Sequence, residues 1–195
     1  LVAPSVMMLA GIGCTPVLTS PPGADIGVDS WLDWEAPVNS WPTVETLPSD
    51  IVSQGWAEGQ IPPDARMLDQ NGDEVSLWQF HGLVIAVDIS TMWCSPCQKI
   101  ADEIKEVQAD YGDEGFIYLS VLPQNSGGAP PNVEDLNIWS DMHDIRTPIL
   151  ADTDGISYEV VPDQVWPRIL VIGRGLRVEN GQVQPAEDVG IRNAI

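Results

Sequence analysis

The 195-residue sequence predicts an α/β domain built on a central mixed β-sheet flanked by helices on both faces. Three observations carry that expectation. The apolar run Leu83-Val84-Ile85-Ala86-Val87 reads as a buried strand, and the spacing Ile100, Ile104, Val107 after it reads as one face of a helix. A second strand from Phe116 and a second helix from Asn132 repeat the alternation, as in parallel strands joined by crossover helices. Near the C-terminus, strand-like residues on either side of Gly173-Arg174-Gly175 form an antiparallel hairpin.

Taken in order, the domain occupies 61–195. Met67 to Leu77 holds Asn71-Gly72, a strong hairpin signal because both residues tolerate positive φ. The first buried strand follows at 83–87, and a long helix runs from Ser95 to Tyr111. Residues 116–122 are the next strand. Asn132 can accept a hydrogen bond from a first-turn N–H, capping a helix that reaches about His143. Ile149-Leu150 continues the sheet, and Asp152-Thr153-Asp154-Gly155 leads into a short helix before Pro167. Residues 168–172 and 176–178 form the closing hairpin, and a last short helix starts near Ala186. There is no internal repeat.

The chemistry concentrates at Trp93-Cys94-Ser95-Pro96-Cys97, where strand gives way to helix. The first N–H groups of a helix lack intrahelical partners and carry partial positive charge, so they stabilise a thiolate and not a thiol. A free cysteine titrates near ~8.5, whereas cysteines in Cys-x-x-Cys motifs fall to roughly 3.5–7.5. Cys94 is therefore the expected attacking sulfur. Cys97, one turn further in, is the expected resolving thiol, and the two form the redox disulfide Cys94-Cys97.

The segment Val87-Asp88-Ile89-Ser90-Thr91-Met92-Trp93-Cys94-Ser95-Pro96-Cys97 resembles the thioredoxin active-site segment. The longer context resembles the extracytoplasmic TlpA/ResA-type branch of the redoxin, or AhpC/TSA, group. Gly72-Asp73-Glu74-Val75-Ser76-Leu77, Phe80 and Gly82 are similar to that branch's lead-in, with Leu83 in place of its usual lysine. Val165-Trp166-Pro167-Arg168-Ile169-Leu170-Val171-Ile172 is similar to the segment that holds the family's cis-proline.

This resemblance covers about 60–195 and implies a thioredoxin-like fold and thiol-disulfide oxidoreductase activity on protein thiols and disulfides, without a cofactor. It implies that Asp88, six residues before Cys94, is the buried aspartate of the family. A carboxyl in an apolar strand is costly unless it holds a proton, which fits a base toward Cys97. Pro167 has no N–H, so a cis bond there leaves the Trp166 backbone open to an extended substrate segment. Trp93, Trp166 and Pro167 are thus the expected substrate-binding residues. Trp166 stands where smaller residues are usual.

Other readings compete. A Cys-x-x-Cys pair can be half of a zinc site, but zinc needs about four ligands and only His81, His143 and Cys14 remain to complete it. No metal is expected. Asp88 can instead be a structural carboxylate that accepts a backbone N–H, and Trp93 and Trp166 can be packing aromatics. Thr91, three residues before Cys94, matches a peroxiredoxin signature, but the proline of that signature is replaced by Val87, and Cys97 would intercept a sulfenate. Peroxide reduction is the alternative activity, and a non-catalytic redox-sensing surface module is a third reading.

A formal charge of −21, from 29 acids against 8 bases, disfavours nucleic acid and anionic lipid surfaces as partners. Residues 1–13 are uncharged and largely apolar, too short for the ~20 residues that span a bilayer and similar to the core of a signal peptide. Without a methionine or basic residues ahead of it, this segment reads as lacking its start. Leu9-Ala10-Gly11-Ile12-Gly13-Cys14 resembles a bacterial lipobox, so 1–14 is expected to direct export and Cys14 to carry a lipid anchor. The implied location is the periplasm or cell envelope, with an upstream electron donor or acceptor unidentified.

Residues 15–60, rich in proline, glycine and acids, read as a tether. Four of the eight tryptophans fall in it, at Trp31, Trp34, Trp41 and Trp56, which is unusual for a solvated linker. Trp31 and Trp34, at helical spacing, are expected to dock on the domain or on a partner.

Overall fold

A computed structural model describes residues 30–184, 186 and 188–195. The signal-like segment and Cys14 lie outside the described residues. Seven strands are described: β1 Arg66–Asp69, β2 Glu74–Ser76, β3 Val84–Thr91, β4 Phe116–Gln124, β5 Ile149–Ala151, β6 Arg168–Ile172 and β7 Val178–Asn180. They form one sheet in the order β2-β1-β5-β4-β3-β6-β7. β3, β4 and β5 are parallel, while β1, β6 and β7 run antiparallel to the neighbours they follow. The helices are α1 Ser95–Tyr111, α2 Val133–His143, α3 Ile156–Val160 and α4 Asp188–Ala194. This is the predicted mixed sheet with helices on both faces.

Each face is sealed by its own apolar layer. Side chains alternate along a strand, so Ala86 of β3 joins Tyr118, Ile104, Leu136 and Trp139 beneath α1 and α2. Ile85, Val87 and Ile89 point the other way, into a layer with Leu119, Leu150 and Leu170. Part of that second layer is covered by residues ahead of the sheet. Leu47, Ile51 and Ile61 are buried in it, and Trp31, Trp34, Trp41 and Trp56 pack against it.

Hydrogen bonds pin this segment. Trp34 Nε1 donates to Ser76 Oγ at 3.0 Å, and Trp41 Nε1 donates to the buried Asp69 carboxylate at 2.6 Å. Composition reads 15–60 as a tether, yet its described part, from residue 30 on, is laid across the sheet. The physical reason is its tryptophans: a large aromatic ring buries ~150–250 Å², and its N–H seeks a partner when it does so.

Two elements run longer than the apolar runs suggest. β3 continues through Asp88, Ser90 and Thr91, polar residues that are nonetheless buried. β4 reaches Gln124 through an irregularity, since Ile89 pairs with Val121 but Thr91 pairs with Gln124. Pro123 lies in that bulge, a place in a sheet that tolerates a missing N–H. In the closing hairpin β7 begins at Val178, two residues later than expected, because Leu176 takes φ 59° in the turn. α4 likewise begins at Asp188, just after the expected start.

Candidate active site

Cys94 sits where β3 hands over to α1, at the C-terminal ends of the parallel strands, which is where open α/β sheets place their sites. It is the residue that caps α1. With φ −83° and ψ 114° it is still extended, and its Sγ accepts the Cys97 N–H at 3.3 Å. Ser95 and Pro96 open the helix, where a proline costs no hydrogen bond. The first turn holds no acidic residue to oppose a negative sulfur. Cys94 and Cys97 are joined in a disulfide with Cα atoms 5.2 Å apart. Cys94 retains 6 % exposure and Cys97 has none, so the pair is open to solvent only at Cys94.

Asp88 is buried on the face of β3 that α1 covers, the side from which Cys97 enters the core. Burial pushes its carboxyl up to about 7, while hydrogen bonds from Ser90 and Tyr118 pull it part of the way back. The Ser90 hydroxyl donates to Asp88 Oδ1 at 2.6 Å. Ser90 is two residues along the same strand, and Tyr118 is on β4, opposite Ala86 in the ladder. A carboxyl with this affinity can hold or release a proton near neutrality.

The third part of the site arrives from β6. The Trp166–Pro167 peptide is cis, and the Trp166 carbonyl oxygen lies 3.7 Å from Cys94 Sγ. Trp166 is half-buried, packed against the second apolar layer and in edge contact with Tyr158, ring centroids 6.2 Å apart. Trp93, the residue before Cys94, is 51 % exposed and donates its Nε1–H to Gln124 Oε1 at 2.8 Å. The neighbouring Val165 is also exposed, which makes the rim partly apolar.

Five of the predicted residues, Cys94, Cys97, Trp93, Trp166 and Pro167, thus meet at one end of the sheet, with Asp88 in the core on the α1 side. Cys14 lies outside the described residues. His143, one of the conceivable zinc ligands, lies at the far end of α2, with Nδ1 2.7 Å from Asp102 Oδ1. Among the described residues no three His, Cys, Asp or Glu converge as a metal site.

Ser90, Tyr118, Gln124 and Tyr158 were not anticipated. Ser90 has a signal in retrospect, because residues two apart share a strand face. The other three depend on strand register, the β4 bulge and the docking of α3, none of which the sequence spells out.

The model of the AhpC/TSA family matches residues 59–176. The thioredoxin-like protein YneN of Bacillus subtilis is 28 % identical over 103 residues, 53 % of this chain and 58 % of YneN. The match therefore spans little more than half of that relative. Solved structures share the fold at low identity. The thioredoxin domain of a thiol-disulfide oxidoreductase from Bacteroides vulgatus has a TM-score of 0.58 at 18 % identity, covering 70 % of this chain and 94 % of its own. A thiol:disulfide interchange protein of Chlorobium tepidum gives 0.58 at 17 %, covering 71 % and 94 %. A secreted disulfide oxidoreductase of Mycobacterium tuberculosis gives 0.53 at 12 %, covering 67 % and 92 %.

Proposed function

The chain belongs to the AhpC/TSA family, and from that premise we propose that it is an extracytoplasmic thiol-disulfide oxidoreductase acting on the cysteines of exported proteins. The observation that carries this reading is the Cys94–Cys97 disulfide itself, capping α1 with the Trp166 carbonyl beside its outer sulfur.

In the reducing direction, the Cys94 thiolate attacks one sulfur of a substrate disulfide. A mixed disulfide forms, the substrate S–S bond breaks, and the departing thiolate takes up a proton. The Cys97 thiol then gives its proton to the Asp88 carboxylate and attacks Cys94 Sγ, which expels the second substrate sulfur. Two electrons have passed from the dithiol to the substrate, and the product is the Cys94–Cys97 disulfide. The same steps reversed oxidise a substrate dithiol. Direction follows from the reduction potential against that of the partner, and an upstream protein thiol or disulfide must reset the pair. An extended substrate segment is suited to lie along the Trp166 backbone, where Pro167 offers no competing N–H.

The test uses pre-reduced protein and insulin. Cys94→Ser abolishes disulfide reduction, and Cys97→Ser accumulates a mixed disulfide through Cys94, read by mass spectrometry. Alkylation that labels Cys97 much faster than Cys94 overturns the assignment of roles. Rapid, saturable consumption of hydrogen peroxide that survives Cys97→Ser, with little disulfide reduction, overturns the activity in favour of a thiol peroxidase. A reducible pair without turnover on any disulfide favours a redox-sensing module.

A further inference from the structure

Two indoles flank the dithiol, and one side-chain amide ties them together. Trp93 donates its Nε1–H to Gln124 Oε1 at 2.8 Å. Gln124 Nε2 in turn donates to the Tyr158 hydroxyl at 3.0 Å. The Tyr158 ring meets the Trp166 ring edge-on, centroids 6.2 Å apart, and Trp166 brings its carbonyl to 3.7 Å from Cys94 Sγ. The chain of contacts runs from Trp93, the residue before Cys94, to Trp166 through four separate stretches: the loop before α1, the end of β4, α3, and the loop before β6.

Gln124 is placed for this by backbone features. The bulge containing Pro123 sets Gln124 opposite Thr91, and the Gln124 carbonyl accepts the Met92 N–H at 3.1 Å. Its main chain is thus anchored to the active-site loop whatever side chain it carries. α3 is fixed by the buried Asp152 carboxylate, which accepts the N–H groups of Gly155, Ile156 and Ser157 at 2.8, 2.9 and 2.6 Å.

We propose that Gln124 is a positioning residue of the exchange site, holding Trp93 directly and Trp166 through Tyr158, and that this bracing selects extended protein segments over small disulfides. The proposal rests on the disulfide-exchange reading above. Trp93 is half exposed, and an indole left free would lose rotamer freedom each time a polypeptide settled against it. Bracing both rings beforehand removes that cost from every encounter with a protein. A small disulfide that reaches only the sulfur gains nothing from it.

The experiment compares the full chain with Gln124→Leu, Gln124→Glu and Tyr158→Phe, each pre-reduced and mixed with insulin or with 2-hydroxyethyl disulfide. In Gln124→Leu the ratio of insulin to small-disulfide reactivity falls about fivefold to tenfold, the equivalent of one ordinary hydrogen bond. The loss lies in half-saturation by insulin more than in the limiting rate. Gln124→Glu restores most of the ratio, because a carboxylate still accepts from both Trp93 Nε1–H and the Tyr158 hydroxyl. Tyr158→Phe keeps the ring contact and loses less than Gln124→Leu. Solvent exchange of the Trp93 indole N–H, followed by nitrogen-15 NMR, accelerates in Gln124→Leu and not in Gln124→Glu. An unchanged ratio in Gln124→Leu, or a Gln124→Glu variant as impaired as Gln124→Leu, overturns the positioning role while leaving the exchange function standing. Failure of the wild-type protein to reduce either disulfide sinks the exchange function, and this inference with it.

Discussion

Asp88 is one place where pH acts on the stability of this protein. Its carboxyl is raised by burial to about 7 from an ordinary 3.8, so between those values the native state keeps a proton that the unfolded chain has lost. Stability therefore falls as pH rises through that window. Asp88→Asn removes the penalty. The variant is expected to match the wild type near pH 4 and to exceed it by a few kcal/mol above pH 8, read by urea denaturation at both pH values. Release of the mixed disulfide should slow in Asp88→Asn and lose its pH dependence near neutrality; an unchanged pH–rate profile would reduce Asp88 to a structural role. Tyr118→Phe removes one of the hydrogen bonds that lower the carboxyl, so the midpoint of the profile moves to higher pH. Cys94 and Cys97 are marked in the sequence by the Cys-x-x-Cys spacing at a strand-to-helix junction, whereas Asp88, Trp166 and Pro167 are suggested by the resemblance of two short segments to the thioredoxin family. Tyr118 was not, because its place next to Asp88 exists only once β4 lies beside β3 in the observed register.

Helix boundaries were the most readable elements, since their capping chemistry is local. α1 begins and ends at the predicted residues. Asn132 caps α2 as expected, accepting the Asp135 N–H at 3.1 Å while Asp135 returns the favour to the Asn132 N–H at 3.0 Å. Strand ends were less readable, because a strand stops where its partner stops. β3 carries Asp88, Ser90 and Thr91 into the core on the strength of neighbours that periodicity does not reveal. The two helices that leave the sheet near the site offer a contrast. Asn132→Ala is expected to cost about 1 kcal/mol in denaturant unfolding with the insulin rate preserved. Asp152→Ala withdraws the acceptor from three N–H groups and is expected to cost about 1–3 kcal/mol. It should also slow insulin reduction, because α3 carries Tyr158 and packs behind Trp166. Equal insulin rates in the two variants would separate α3 from the site.

The molecule as a whole combines a folded redox domain with an N-terminal region that composition alone reads poorly. Proline and acid content suggested a tether over 15–60, and the four tryptophans argued against one; from residue 30 on, the tryptophans prevail and the segment closes one face of the sheet. Proximity to a membrane is a separate matter. No helix among the described residues is long and apolar enough to cross a bilayer, and a formal charge of −21 opposes adsorption to anionic lipid. We propose that attachment rests on Cys14 and its lipobox-like context. Each buried methylene contributes about 0.8 kcal/mol, and one acyl chain gives only marginal binding, whereas the several chains of a lipidated N-terminal cysteine hold firmly. Expressed in a bacterial host with an intact leader, the wild-type protein is expected to enter the detergent phase on phase separation and to gain the mass of its acyl groups. Cys14→Ser should shift it to the aqueous phase while leaving insulin reduction intact, since Cys94 and Cys97 form their own pair. Detergent partitioning that persists in Cys14→Ser would reject the lipid anchor and assign attachment to another part of the chain.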